Sequence, residues 1–180
     1  SYLLGDINLN GAPFEIGDAV VLSQYLADPF NYPLNPIQMA ASDCNQDGIP
    51  ASVADLIYLL AVINGSIPPP RAIPSRGSAE LNIVTDANSG KLVLRSDIPA
   101  GGVLIKLNHA GAALDNFVVP AGLTLKSSDR DGVTTLLVYS ENSRTSITGQ
   151  VIQYNIESGN SSEISILSQE ISDIYGRLMK

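Results

Sequence analysis

Asp6-Ile-Asn-Leu-Asn-Gly11 and Asp43-Cys-Asn-Gln-Asp-Gly48 are one six-residue pattern written twice, 37 residues apart. Oxygen-bearing side chains stand at the first, third and fifth places, and glycine at the sixth. The same offset pairs Asp18 with Asp55. After each of these acids comes a helical pattern, with apolar residues three and four apart. The first runs through Ala19-Val-Val-Leu22 to Tyr25-Leu26, the second through Leu56-Ile57 and Leu59-Leu60 to Val62-Ile63. Asp28-Pro29 and Asn64-Gly65 are stop signals for them. The first third of the chain is therefore a loop and a helix, used twice.

Alternate oxygens on a tight turn can converge on one point, and the glycine allows the bend that brings the chain back. This is the front half of an EF-hand-type calcium loop. Calcium takes about six to eight oxygens, and a carboxylate at the start of the next helix closes its shell. Here the closing acids come twelve residues after the opening ones, against the usual eleven, with the extra residue near Ala12-Pro13 and Ile49-Pro50. The expected ligands are Asp6, Asn8, Asn10 and Asp18 for one ion, and Asp43, Asn45, Asp47 and Asp55 for the other. Glu15 and Ser52 are expected to ligate directly or through water, with a backbone carbonyl near Ala12 and Ile49. Charge points the same way. Residues 1–70 hold seven carboxylates and no Lys or Arg, so nearly all of the net charge of −8 lies there. Such a segment repels itself unless cations are supplied. Folding of residues 1–65 is expected to be coupled to two Ca2+ ions.

The composition breaks between Ser66 and Ser78, where four of the eleven prolines fall. This stretch reads as a semi-rigid linker. Beyond it come short β runs: 81–84, 91–95, 103–107, 117–119, 123–125, 134–139, 150–156 and 163–167. Turn residues separate them at Asn88-Ser-Gly90, Pro99-Ala-Gly-Gly102, Asp129-Arg-Asp-Gly132 and Ser158-Gly-Asn160. Strands at this spacing with no helix between them indicate a β-sandwich. The fold expected is α+β in two domains. Residues 1–65 are a small duplicated helical module, 66–78 a linker and 79–180 an all-β sandwich.

The duplicated loop-helix over residues 3–65 resembles a type I dockerin. That resemblance implies two calcium ions and a partner of the cohesin family, itself a β-sandwich. It also implies that the pair before each closing acid, Ile16-Gly17 and Val53-Ala54, touches the partner. In the family this pair is often Ser-Thr, so an apolar partner surface is expected here. Thr134–Ser140, Thr148–Ile156 and Ile164–Gly176 resemble the last strands of a cohesin. The closing Ser172-Asp-Ile-Tyr-Gly-Arg-Leu178 is also similar to the tail of bacterial surface-sorting sandwich domains. A whole cohesin is longer, so its first strands are expected to be missing. A strand from another molecule, with Tyr2-Leu-Leu4 as candidate donor, is expected to cover the edge left open.

Other functions fit less well. The single histidine, His109, reads as a strand-end residue, and no nucleophile elbow, phosphate loop or Cys/His cluster is present. The acidic balance is opposite to that of a nucleic-acid binder. No apolar run approaches the roughly 18 residues of a membrane span. A sugar platform usually needs exposed aromatics; the sandwich has no Trp, and Tyr139, Tyr154 and Tyr175 are expected mostly as core or strand-pair residues. Cys44, the only cysteine, is expected to face outward or onto local packing. Asn64-Gly-Ser66 and Asn160-Ser-Ser162 match the glycosylation sequon. The chain opens at Ser1 without a signal-peptide core, so any export signal is expected to be removed or to lie outside it. The expected function is non-catalytic, extracellular or cell-surface, calcium-dependent assembly. Its expected form is head-to-tail self-association into a fibre or surface layer. The alternatives are a tethering fragment of a larger surface or polysaccharide-degrading protein, or a carbohydrate-binding module.

Overall fold

In the computed structural model, which describes all residues except 67–76, 143–144 and 160–162, three helices precede eight strands. Each helix starts at a capping residue. α1 (Ile16–Ala27) follows Glu15, whose N–H donates to Asp18 Oδ2 at 2.9 Å. α3 (Val53–Ile63) follows Ser52, whose hydroxyl accepts from the Asp55 N–H. Between them lies α2 (Pro36–Ala41), which the apolar spacing does not announce because it is little more than a turn and a half long. Its start is nonetheless written in the sequence: the Asn35 side chain accepts from the N–H of Ile37 and Gln38, both at 2.9 Å, and Pro36 takes the first helical place.

The strands are β1 (Ala79–Thr85), β2 (Ser89–Ser96), β3 (Ala100–Asn108), β4 (Ala113–Val118), β5 (Thr124–Arg130), β6 (Val133–Tyr139), β7 (Gly149–Ser158) and β8 (Ser165–Asp173). They form two antiparallel four-stranded sheets, ordered β1-β2-β7-β4 and β5-β6-β3-β8. The β-sandwich is thus present. Its strands differ from expectation most in four places. β3 starts at Ala100, inside the expected turn Pro99-Ala-Gly-Gly102. β4 starts earlier, at Ala113. β5 covers the polar run up to Arg130, because the turn is confined to Asp131-Gly132, both at positive φ. β8 lies later and reaches Asp173, because its second half is buried beneath other parts of the chain. The central part of the linker, residues 67–76, lies outside the described residues, as does the sequon residue Asn160.

Two apolar cores result. One fills the sandwich, with Leu92, Val103, Ile105, Leu136, Val138, Ile152 and Tyr154 between the sheets. The other joins the helices to the outer face of the β5-β6-β3-β8 sheet. There Leu22, Leu26, Leu56, Ile57 and Leu59 meet Leu104, Leu137 and Tyr139. Alternation explains the division: beyond the irregularity at Ala100–Gly102, Val103, Ile105 and Leu107 of β3 face inward, and Leu104 faces the helices. Such strands, buried on both sides, read as nearly unbroken apolar runs. Val103-Leu-Ile-Lys-Leu107 and Leu136-Leu-Val-Tyr139 are two of them.

Candidate metal centres and the covered helix face

The two loops have the same backbone. Leu9, Gly11 and Phe14 have φ of 60, 89 and 60°, and their counterparts Gln46, Gly48 and Ala51 have 58, 87 and 53°. Their hydrogen bonds match as well. Asp6 accepts from the N–H of Asn10 and Gly11, both at 3.0 Å; Asp43 accepts from Asp47 and Gly48 at 3.1 and 3.2 Å. Asp18 reaches back to the N–H of Asn8, as Asp55 does to that of Asn45. The closing acid is therefore folded over the turn in both copies. The added residue falls where Phe14 and Ala51 take the left-handed conformation.

Asp18 and Asp55 are fully buried, and Asp6 is 5% exposed. Burial raises the Asp18 carboxyl, against backbone hydrogen bonds from Asn8, Glu15 and Ile7. Burial pushes Asp55 up to about 7, although Ser52 and Asn45 donate to it. Every ion pair among the described residues lies in the sandwich, between His109 and Arg177. Two carboxylates are thus withdrawn from water with no cationic side chain beside them, a costly arrangement that a cation would relieve. The donors are hard oxygens of Asp, Asn and Ser, the set that suits calcium. Among the described residues no three His, Cys, Asp or Glu side chains gather as a metal-holding group. An ion would therefore depend on Asn and backbone oxygens beside the Asp pairs. Within those terms the residues fit it. Glu15 and Ser52 act as helix caps. Glu15 Oε2 also accepts from Asn10 Nδ2 at 3.0 Å, and Ser52 Oγ donates to Asp55 Oδ2 at 2.9 Å.

The four residues expected to meet a partner have unlike fates. Ile16 is 69% exposed and Gly17 is exposed, whereas Val53 and Ala54 are fully buried. What covers α3 is the sandwich of the same chain. A Cβ on Gly102 would lie 2.8 Å from Ile57 Cδ1 and 3.0 Å from Val53 Cγ2. One on Gly101 would lie 2.9 Å from the Asp173 carbonyl oxygen. Gly101 and Gly102 read as turn residues in the sequence; their role is close approach. The Val53 N–H, unpaired within its helix, donates to Glu170 Oε1 at 3.1 Å. Burial raises that carboxyl, while the bond from Val53 opposes the rise. Asn45 Nδ2 donates to the Gly176 carbonyl at 2.9 Å, so the second loop touches the sandwich directly. Lys126 Nζ donates to Ser23 Oγ at 2.6 Å, and Asn64 Nδ2 to the Glu141 carbonyl at 2.8 Å. Sequence reading did not find Gly101, Gly102, Lys126, Glu170 or Gly176. The unbroken apolar runs in β3 and β6 were the available signal.

Other expected features fall as follows. Cys44 is fully buried, and burial with nearby carboxylates raises its thiol. Tyr139 and Tyr154 are buried; Tyr175 is 46% exposed, set in a turn beside Arg177 and not in the core. His109 is a brace at the end of β3, with Nδ1 2.8 Å from the Ala112 carbonyl and Nε2 2.8 Å from Asp129 Oδ2. Tyr2 and Leu3 are half-exposed. No helix among the described residues is long and apolar enough to cross a membrane.

No family model and no curated protein matches this sequence. Three solved structures are similar to this chain over little more than half of it. A non-cellulosomal cohesin from Archaeoglobus fulgidus is similar at 8% identity, with 57% of this chain and 83% of that one covered and a TM-score of 0.44. A cohesin module from a Clostridium perfringens family 33 glycoside hydrolase is similar at 14% identity over 59% and 90%, with a TM-score of 0.45. The chitin-binding domain of a Pyrococcus furiosus chitinase is similar at 12% identity over 59% and 100%, with a TM-score of 0.37.

Proposed function

We propose that this chain is a non-catalytic, calcium-binding assembly protein of the cell exterior. Its dockerin-like residues 1–65 recognise the β5-β6-β3-β8 face of a cohesin-like sandwich, residues 79–180. That contact is closed within one chain here, and the same contact exchanged between copies links molecules head to tail. Exchange of an identical element is a low-cost route to oligomers, and a heterologous contact that does not close gives filaments. One observation carries the reading: Val53 and Ile57 of the repeat pack onto the paired glycines Gly101 and Gly102, a fit between a helix and a sheet face.

Asp6, Asn8, Asn10 and Asp18 would hold one ion, and Asp43, Asn45, Asp47 and Asp55 the other. Calcium would supply the positive charge that the acidic module lacks. Asn45 is the residue that connects this chemistry to recognition. Its Oδ1 accepts from the Asp47 N–H at 3.1 Å while its Nδ2 holds Gly176. Ordering of the second loop therefore presets the sandwich-facing side of that residue.

The test is a pair of cysteines at Val53 and Gly102, oxidised at rising protein concentration with calcium or chelator. Exchange gives a ladder of linked chains on a non-reducing gel in calcium, and electron microscopy shows strings that chelator disperses. A single cross-linked monomer band at every concentration, with monodisperse particles in calcium, overturns the proposal.

A further inference from the structure

The two loops share a backbone and differ in what meets them from outside. In the first, Asn8 Oδ1 accepts from the Asn10 N–H at 2.9 Å, and among the described residues Asn8 Nδ2 has no hydrogen-bond partner. That amide lies over Gly17, where a Cβ would be 2.6 Å from Asn8 Nδ2. In the second loop Ala54 stands in the place of Gly17 and carries that Cβ. The Asn45 amide therefore cannot lie as that of Asn8 does. It is fully buried, and its Nδ2 turns to the Gly176 carbonyl at 2.9 Å and to Asp47 Oδ2 at 3.1 Å. The sandwich holds this loop at its other end too, where Glu170 takes the Val53 N–H. Neither counterpart in the first repeat, Asn8 or Ile16, is hydrogen-bonded to the sandwich among the described residues.

The carbonyl that Asn45 meets is itself fixed. Gly176 has a φ of 78° and lies so close to Tyr58 of α3 that a Cβ on it would collide there. The turn around it closes on the buried Asp173. Asp173 Oδ1 accepts from the N–H of Tyr175 and Arg177 at 2.8 and 3.0 Å, and Oδ2 pairs with the Arg177 guanidinium. Beyond the turn the tail is tied down as well. The Met179 N–H donates to the Ile171 carbonyl at 2.8 Å, the Lys180 N–H to the Gly77 carbonyl at 3.0 Å, and the Ala79 N–H to the Lys180 carbonyl at 2.7 Å. The turn thus keeps its shape through its own bonds and those of the sandwich. With Nδ2 held by it, Asn45 Oδ1 is left facing the loop, where it accepts from the Asp47 N–H at 3.1 Å.

We infer that the turn Asp173–Arg177 is a positioning element for the second candidate calcium centre, and that the two centres therefore take the ion unequally. This rests on the calcium reading above and adds to it which site fills first. The second loop is partly ordered by the sandwich before an ion arrives, whereas the ion must order the first by itself. Ordering done in advance is not charged to binding. One hydrogen bond held in this way makes the second site tighter by about fivefold to tenfold. The coupling is reciprocal: an ion in the second loop strengthens the contact with the sandwich by the same factor.

Calorimetric titration of the full chain with calcium tests this. The wild type shows two steps about fivefold to tenfold apart; Asp6→Ala removes the weaker step and Asp43→Ala the tighter. Asn8→Asp and Asn45→Asp separate positioning from charge, because each adds a carboxylate to its loop, which by itself favours the ion. Asn8→Asp tightens the first step. Asn45→Asp has no N–H for Gly176 and sets a carboxylate against that carbonyl, so it weakens the second step by about fivefold or more. Circular dichroism checks that each variant folds. Hydrogen exchange of the wild type in chelator needs no variant and no ion: the amides of Asp47 and Gly48 exchange more slowly than those of Asn10 and Gly11. Two equal steps, a folded Asn45→Asp protein that binds more tightly, or two loops that exchange alike in chelator overturn the inference and leave the calcium reading standing. A chain that takes up no calcium at either site overturns both.

Discussion

Ile57 occupies the space that a side chain on Gly102 would need, with its Cδ1 2.8 Å from where that Cβ would be. The helical module rests on the sandwich at this point, so bulk at residue 102 acts as a wedge. Gly102→Ala displaces only side-chain atoms and is expected to cost about 1 kcal/mol; Gly102→Leu is expected to cost about 3 kcal/mol, within the overpacking range. Thermal melting measures the loss. Equal melting temperatures for the three proteins would mean that the helix does not sit there.

The two repeats should respond unequally to the same change. Ile16 and Val20 are 69% and 43% exposed, while Val53 and Ile57, their counterparts, are 0% and 2% exposed. Ile16→Asp is expected to change stability by less than about 0.5 kcal/mol, and Val53→Asp to cost more than about 3 kcal/mol, because it buries a carboxylate without a partner. Denaturant titration of both variants checks this, and similar midpoints would contradict it.

Calcium should stabilise the module by mass action. At an ion concentration about 100-fold above the dissociation constant, each site adds about 2.7 kcal/mol. Asp6→Ala and Asp43→Ala should each remove one site in isothermal titration calorimetry. Chelator should lower the melting temperature of the wild type by more than it lowers that of either variant. An unchanged wild-type melt in chelator is the contrary result.

Asp55 gives the ion-free protein its own pH dependence. Its folded pKa, about 7, is raised above the ordinary 3.8 by burial. The fold thus favours the neutral acid. That contribution is fully present below about pH 4 and is lost as pH rises through about 7. In chelator, the melting temperature is expected to fall between pH 5 and pH 8, and Asp55→Asn should flatten the fall. In excess calcium the ion requires the deprotonated form, and stability should rise with pH over the same window.

Cys44 offers a readout of the second loop. It is fully buried between Asp43 and Asn45, and burial raises its thiol. A buried, protonated thiol reacts slowly. Labelling by a thiol reagent should be slow in calcium and at least about tenfold faster in chelator. Equal rates would separate opening of this loop from the ion.

Much of this architecture is legible in the chain because its signals are local. Asp6 to Gly11 and Asp43 to Gly48 fix two turns through their own hydrogen bonds, and Ser52 and Glu15 cap the helices that follow. Strands β1, β2, β3, β6 and β7 follow from apolar runs between turn residues. Short-range rules mislead where the cause is distant. Pro99-Ala-Gly-Gly102 reads as a turn, yet Ala100, Gly101 and Gly102 are strand residues; Gly102 is kept small by a helix some 45 positions earlier, and Gly101 by the backbone at Asp173 and Ile174. Only the start of β5 reads as a strand, because Lys126, Ser127, Ser128 and Asp129 are polar, although β6 pairs with every one of them. The covered face was written in Leu104 and Leu137, each interrupting the polar alternation expected of an outer surface. Nothing local in Glu170 says that it meets the first N–H of α3.

The bonds between Lys180 and the start of β1 bear on how the sandwich carries load. The tail and β1 run in the same direction there, so tension drawing Gly77 one way and Lys180 the other strains their bonds along the strands. Those bonds, with that from Met179 to Ile171, must yield together and not one after another. A sandwich pulled at these two points resists as a clasp, not as a zip.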